Sequence, residues 1–300
     1  MRKILFLAGL LLLSGCGTPH KAVEFSISQD SVTTIKLDTH TKFSVKKVVS
    51  LANGVAEIMN SLNAQSILVG RDISSTEEAL KDIPIVTSGH QVIAEKVIAL
   101  KPDLVIIDAS TGPKTAINQI KSAGIKVVQT PESWTLADIQ TKVRAVGVAI
   151  GALPQAEVLI QRLNAELQVS KIPSGVKVAF LYLRGTSSIY LIGGPGSGAD
   201  SLIQAVGALD VGAQTLKHPF NTLTAESLAA LNPDVILVMT KGLESVGGLS
   251  GLLKLPGVAQ TKAGKNHAVI DVDDSLLLSF GPRTPSLVKA LSKAMVSLKS

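Results

Sequence analysis

The feature that most constrains the fold is a segment that occurs twice. The first copy, AEKVIALKPDLVII, begins at Ala94, and the second, AESLAALNPDVILV, begins at Ala225. Both copies contain AE, then apolar residues at helical spacing, then AL-x-PD and a run of Val, Ile and Leu. Each Pro predicts the end of a short helix, and each apolar run is typical of a strand buried on both faces of a parallel sheet. The repeat therefore predicts two similar α/β lobes in one chain.

The N-terminus has the pattern of an export signal. Arg2 and Lys3 precede an apolar run, 4–13, that is too short to span a bilayer, and small residues lead to Cys16, the single cysteine. LSGC resembles a lipobox, the cleavage and lipidation site of bacterial lipoproteins; the alternative is a plain signal peptide with an incidental cysteine. We predict that 1–15 are removed and that lipid on Cys16 anchors the exported protein to the outer face of the cytoplasmic membrane.

The rest of the chain divides by pattern into four parts. Residues 16–46, rich in Thr, Ser and Lys, predict a tether, in which 23–27 and 33–37 have the composition to pair as a small ribbon. Alternating strand and helix patterns predict a first lobe over 47–133 and a second over 171–300. Residues 134–170 have only helical patterns, which predict a stiff strut of about 50 Å. A ligand cleft is expected between the lobes, at the carboxyl ends of the strands.

Composition and motifs exclude other classes of function. The net charge of +6 is scattered and aromatic residues are only 3% of the chain, too few for base stacking, so no nucleic-acid partner is predicted. Enzyme motifs such as G-x-S-x-G and H-E-x-x-H are absent. The glycine-rich turn 193–198 could cradle an anion, but it lacks the Lys of a nucleotide loop, which favours a plain tight turn. We predict a monomeric small-molecule carrier; a structural lipoprotein would not need two duplicated lobes.

Together these features resemble a known family. The lipobox, the two AE…L-x-PD units and the helical connection are similar to the substrate-binding proteins of ABC importers for haem, iron chelates and vitamin B12. The resemblance implies two Rossmann-like lobes with mostly parallel sheets, joined by a long rigid helix. Segments 238–266 and 276–283 are most similar to the haem-binding branch. Haem delivery to the importer's membrane subunits is therefore implied. A ferric siderophore or cobalamin is the alternative, against which the low aromatic content argues.

The resemblance also implies two iron ligands. His90, just before the first repeat helix, matches an axial-ligand position, and Tyr190, on a strand before the glycine-rich turn, matches the second, although Ile192 stands where some members have Arg. His and Tyr are among the residues that ligate haem iron, whereas a lone His is more often a surface or capping residue. Tyr182 lies in the apolar VAFLYL and is predicted to be core. The remaining histidines are predicted to be solvated: His20, His40, His218 and His267.

Two further sets of charged residues are singled out. Arg71, Lys241 and Arg283 fall near predicted strand ends, where they could neutralise the haem propionates, with Arg283 in FGPR the first choice; solvated surface charge is the alternative. Glu95 and Glu226 occupy the same position in both repeats. An acidic residue in a first helical turn is favoured by the helix dipole. The resemblance instead implies that each pairs with Arg side chains of one membrane subunit.

Overall fold

The structure is a computed structural model that describes residues 24–39, 41–167 and 175–298. The predicted signal peptide, Cys16, His20 and His40 lie outside the described residues. Within those residues, no helix is both long and apolar enough to cross a membrane.

In the described part of the chain the elements have the following bounds. The strands are β1 Glu24–Ile27, β2 Val48–Ser50, β3 Leu68–Arg71, β4 Thr87–Ser88, β5 Gln91–Val92, β6 Leu104–Ile107, β7 Lys126–Gln129, β8 Lys177–Arg184, β9 Ile189–Gly193, β10 Leu209–Asp210, β11 Phe220–Thr222, β12 Val235–Met239 and β13 Val269–Val272. The helices are α1 Val55–Ser61, α2 Ala94–Ala99, α3 Lys114–Ser122, α4 Asp138–Ile150, α5 Leu153–Glu166, α6 Ala199–Ala205, α7 Val211–Thr215, α8 Ala225–Leu231, α9 Thr240–Ser245, α10 Gly248–Leu252, α11 Lys262–Asn266, α12 Asp274–Leu277 and α13 Thr284–Ser297.

The predicted α/β class with mostly parallel sheets is confirmed. The first lobe contains a parallel sheet of order β3-β2-β6-β7. The second contains a sheet of order β1-β13-β12-β8-β9-β11, with β10 added beside β8. In that sheet β9 runs antiparallel to both β8 and β11, whereas the other pairings are parallel.

The repeated segment folds in the same way in both lobes. It forms α2 and β6 in the first and α8 and β12 in the second, and every residue of the two strands is buried. The Asp of each PD also has one role. The Asp103 carboxylate accepts hydrogen bonds from the N–H groups of Lys46 and Lys47, and the Asp234 carboxylate from that of Lys177, so each fixes the start of the neighbouring strand. These two bonds hold the pKa of Asp103 below its usual value.

The prediction of a tether over 16–46 is wrong for its described part. Strand β1 pairs in parallel with β13 at the edge of the second sheet, so the ribbon between 23–27 and 33–37 does not form in the described residues. Val32 and Leu37 are buried, and the Leu37 N–H donates to the Ser61 carbonyl of the first lobe. Sparse apolar residues therefore anchor a polar segment, which straps the second lobe to the first.

The helical connection is present but shorter than the expected strut. Helix α4, about 20 Å long at 1.5 Å per residue, ends at Gly151, which adopts the left-handed conformation at φ 75°. Helix α5 then packs back against α4. The Arg144 guanidinium pairs with the Glu157 carboxylate at 2.6 Å, and a Cβ on Gly147 would lie only 2.4 Å from the Ala156 Cβ. The connection is thus two packed helices with the break at Gly151.

Substituting Gly147 by Ala is expected to destabilise the protein. Ala in place of Gly inside a helix normally stabilises it by about 1 kcal/mol. Here the added methyl group meets Ala156, and overpacking costs about 1–3 kcal/mol. Urea unfolding followed by circular dichroism shows whether the substitution lowers or raises the free energy of unfolding. Val148→Ala, at a neighbouring position that is 60% exposed, is the control and should change stability by less than about 0.5 kcal/mol. A more stable Gly147→Ala protein would contradict the close packing.

Candidate functional site

A cleft of about 500 Å³ lies between the two lobes. Its first wall contains Asn53, Thr87, His90, Ser110 and Thr111, and its second contains Arg184, Lys241, Ser245, Asp274 and Leu278. These residues follow or border the carboxyl ends of parallel strands, which is the expected position of a ligand in this class of sheet. A shallower depression of about 810 Å³, lined by Thr39, Phe43 and Gln65, lies outside the strand ends. It involves only one lobe, so we take the interlobe cleft as the candidate site.

Hydroxyl groups at the cleft are held by aspartates that follow three strands. The Asp108 carboxylate, after β6, accepts hydrogen bonds from the Ser110 N–H at 3.1 Å and from the Thr111 hydroxyl at 2.8 Å. Asp72, after β3, accepts from the Ser74 N–H at 2.7 Å, and Asp273, after β13, accepts from the Ser275 hydroxyl at 2.6 Å. The sequence signal, Asp-x-Ser after a strand, was available and was missed. Burial raises the pKa of the Asp72 carboxyl, although the hydrogen bonds that this carboxylate accepts from Ser74 and Ser75 act to lower it.

His90 is in the cleft, as its loop position suggested. It follows Gly89, which has φ 54°, at the tip of the β4–β5 hairpin, and its imidazole is exposed and lines the cleft. Within the described residues the imidazole has no hydrogen-bond partner, so both ring nitrogens are free for a ligand.

Tyr190 does not lie at the cleft, contrary to the prediction. In the antiparallel pair of β8 and β9, Tyr190 lies opposite Leu183, and directly opposed residues share one face of a sheet. Arg184, which lines the cleft, is on the other face. Tyr190 packs with Leu183 against the core on the far side. Strand alternation predicted that the apolar neighbours of Tyr190 face the core and that Tyr190 points away from it, but both faces of this sheet are packed.

Tyr182 and Arg184 were missed as site residues. They share the face of β8 that adjoins the cleft, two residues apart. Tyr182 is half-buried, and the Arg184 guanidinium lies 4.7 Å from the centre of its ring. In the described residues the Tyr182 hydroxyl makes no hydrogen bond. The tyrosine was assigned to the core because its neighbours are apolar, but it stands near the carboxyl end of the strand.

Of the three predicted cations, only Lys241 lines the cleft. Its backbone N–H donates to the Asp274 carboxylate, and its ammonium has no ion-pair partner in the described residues. Arg71 is a correction, because its side chain is buried and donates to the carbonyl groups of Leu80 and Ser75 at 2.9 and 2.8 Å. The Arg71 guanidinium therefore braces its own loop and is not available to a ligand.

Arg283 also does not line the cleft as predicted, because it belongs to a buried ionic cluster where the lobes meet. It is 5% exposed and pairs with Glu57 of α1 at 3.3 Å and with Glu77 at 3.6 Å. Its backbone N–H also donates to Glu57. Lys142 of α4 donates to the Ser279 carbonyl at 2.8 Å, and burial lowers the pKa of this ammonium to about 8. Segment 278–283 of the second lobe is therefore fixed to the first by charge and hydrogen bonds.

Charge on the cleft walls is partly cancelled. Arg184 pairs with Asp274 at 3.5 Å, so its charge is compensated, while the Lys241 ammonium remains free in the described residues. An anionic ligand group would therefore meet Lys241 and the Thr186 hydroxyl on the same wall, because the Ser245 hydroxyl already donates to the Gly242 carbonyl.

Glu95 and Glu226 are exposed in the first turns of α2 and α8. Each helix leads through Pro-Asp into its strand, so its N-terminus lies at the strand's carboxyl end, on the cleft side of the lobe. The α8 capping box is made by Thr224 and Ser227, and α2 has no side-chain cap. Neither glutamate forms a hydrogen bond or ion pair in the described residues, so capping bonds do not occupy them.

The sequence matches a known protein family and is similar to several of its members. A model of a family described as periplasmic binding protein matches residues 48–276. The ABC transporter substrate-binding lipoprotein YvrC of Bacillus subtilis, itself uncharacterised, is 27% identical, covering 96% of this chain and 94% of YvrC. The vitamin B12-binding protein of Salmonella typhi is 24% identical, covering 71% of this chain and 81% of that protein.

Solved structures with the same fold include haem-binding proteins. HmuT, as an arginine-to-alanine variant, is 31% identical with a TM-score of 0.84 over 94% of this chain and 95% of HmuT. Other solved HmuT variants replace a histidine and a tyrosine, and that tyrosine stands two positions before the arginine. Apo RhuT from Roseiflexus sp. RS-1 is 34% identical with a TM-score of 0.78, covering 85% of this chain and 99% of RhuT.

Proposed function

Because the chain belongs to the periplasmic binding protein family, whose members serve ABC importers, we propose that it is a lipid-anchored carrier that captures haem and delivers it to an importer. The observation that carries the haem proposal is the composition of the two cleft walls. A free histidine lines one wall, and a tyrosine followed two residues later by arginine borders the other. HmuT has its tyrosine and arginine at the same spacing.

In this proposal His90 and Tyr182 bind the iron from opposite lobes. Haem iron accepts both residue types as axial ligands. The Arg184 guanidinium lies against the phenol ring as a cation–π contact, which helps to fix the orientation of that ring. Lys241 and the Thr186 hydroxyl are the groups available to the propionates. The lipid on Cys16 would keep the protein at the membrane that contains the importer.

Titration of the mature protein with haemin tests the proposal. A saturable Soret band at one equivalent is expected. His90→Ala and Tyr182→Phe should each change that spectrum and weaken haem retention by at least about tenfold, because one iron ligand is lost. Tyr190→Phe is the matched control, since it removes the same hydroxyl from the other face of the sheet. If Tyr190→Phe changes the spectrum and Tyr182→Phe does not, or if no variant binds less haem, the ligand assignment fails; if the wild-type protein gives no saturable Soret band, the haem proposal fails.

Cobalamin is a second candidate, favoured by the polarity of the cleft. Its lining includes many Ser and Thr side chains and contains no aromatic residue among those described. Hydroxyl groups suit the amide-bearing rim of a corrin, and a vitamin B12-binding protein is among the relatives. A competition experiment separates the two ligands: cyanocobalamin that displaces bound haemin at equal concentration would favour the corrin.

A further inference from the structure

Asn53 joins the two walls of the cleft. Its side-chain amide, on the first lobe, donates to the Leu278 carbonyl of the second lobe at 3.0 Å. Its backbone N–H donates to the Asp108 carboxylate at 3.1 Å. Asn53 and Leu278 both line the cleft. Asn53 therefore links the turn of the first wall that holds Ser110 and Thr111 to Leu278 in the second wall.

The chain around this contact has little freedom. Gly54 follows with φ 74°, and a Cβ there would lie 2.5 Å from the Ser279 carbonyl oxygen. The Ser279 carbonyl in turn accepts a hydrogen bond from Lys142. Two consecutive carbonyl groups of the second lobe are thus bound by side chains, one from Asn53 of the first lobe and one from Lys142 of the connecting helix α4, and the Asn53 bond is the one at the cleft.

We propose that Asn53 is a positioning residue that sets the separation of the two cleft walls, so that His90 and Tyr182 can bind one iron at the same time. This inference rests on the proposed haem function. Axial bonds are short and directional, and supporting residues must hold such ligands within about 0.5 Å of their working geometry. Asn53 touches neither ligand, but its two bonds join the Asp108 turn of the first wall to Leu278 of the second. Without that bond, the Arg283 cluster still joins the lobes, but the cleft-side turn at Asn53 can shift relative to Leu278, and one axial bond is lost first.

The test compares two asparagines that make the same kind of bond. The Asn63 amide donates to the Thr39 carbonyl, also at 3.0 Å and part-buried, but outside the cleft. Asn53→Asp and Asn63→Asp each keep the shape and remove the donor; Asn53→Ala removes it without adding charge. Absorption and electron paramagnetic resonance spectra of the ferric haem complexes report the coordination number. Haem transfer to an excess of apomyoglobin reports retention.

Both Asn53 variants should shift the iron from six-coordinate to five-coordinate and release haem about tenfold faster. Asn63→Asp should retain the wild-type spectrum. A wild-type spectrum in both folded Asn53 variants would overturn the positioning role, and so would an equal shift in Asn63→Asp. Wild-type protein that binds no haem would instead refute the proposed function, so the two failures are distinguishable.

Discussion

Replacing Arg283 by methionine is expected to lower the free energy of unfolding by about 3–5 kcal/mol, because a buried ion pair that loses one partner leaves an uncompensated charge. Glu57 and Glu77 are 2% and 7% exposed, and both carboxylates face this arginine. Methionine preserves much of the volume, so a packing defect is a minor part of the loss. Urea unfolding followed by circular dichroism measures the effect.

The loss of unfolding free energy in Arg283→Met should also depend on pH. Burial, and then the Glu57 charge, raise the pKa of Glu77 to about 7. A carboxyl whose folded pKa is raised contributes stability that is present below its unfolded value, near 4.5, and is lost as pH rises through about 7. Without Arg283 the pKa of Glu77 should rise further, so the deficit of Arg283→Met should be larger at pH 8 than at pH 5. Adding Glu77→Gln should restore part of it at pH 8.

Arg144→Met is the control for the first prediction. Arg144 also pairs with a glutamate, but both side chains are more than 40% exposed. Exposed pairs contribute about 0–1 kcal/mol, so the change should be small and nearly independent of pH in this range. Equal losses in the two variants would mean that the Arg283 cluster is solvated and does not hold the lobes together.

Periodic and local signals predicted most of the fold. The repeat gave a correct helix and central strand in both lobes, since the 3.6-residue apolar spacing, the Pro-Asp stop and the Val, Ile and Leu run all act over a few neighbours. The cleft position followed from the parallel strand order alone. His90 could be placed in a loop shortly before the repeat helix, although the short strand β5 separates it from α2.

The errors arose where the deciding contact is distant in sequence. Arg283 has its backbone partner Glu57 226 positions away, and β1 pairs with a strand near the other end of the chain. A strand-end cation gives no local sign that buried carboxylates will neutralise it. For a related reason, Tyr190 was predicted at the cleft and Tyr182 in the core, whereas Tyr182 is the one on the cleft-side face. Which face of β8 borders the cleft depends on helices packed on both sides of the sheet, and strand alternation alone cannot distinguish them.

The largest functional effect is expected from removing Glu95 and Glu226 together. Both carboxylates are exposed, unpaired within the described residues, and equivalent by the repeat, at the cleft-side ends of α2 and α8. The packed helices α4 and α5 connect the lobes, and Leu37 adds a hydrogen bond to Ser61 of the first lobe, so we expect the two charges to keep a nearly fixed separation. An importer with two membrane subunits can match that pair with one arginine-bearing surface on each subunit. We therefore propose that the two glutamates orient docking.

Glu95→Ala with Glu226→Ala should reduce haem delivery to the importer reconstituted in membranes by at least about tenfold, since truncating charge pairs at an interface costs about 2–5 kcal/mol when they are desolvated and slows association when they lie at the rim. Haem affinity and melting temperature should stay unchanged. Asp82→Ala with Glu24→Ala removes the same charge from exposed positions, one on each lobe, outside the cleft lining, and should transport normally. Normal delivery by the Glu95 and Glu226 variant would limit both residues to stabilising their helix dipoles.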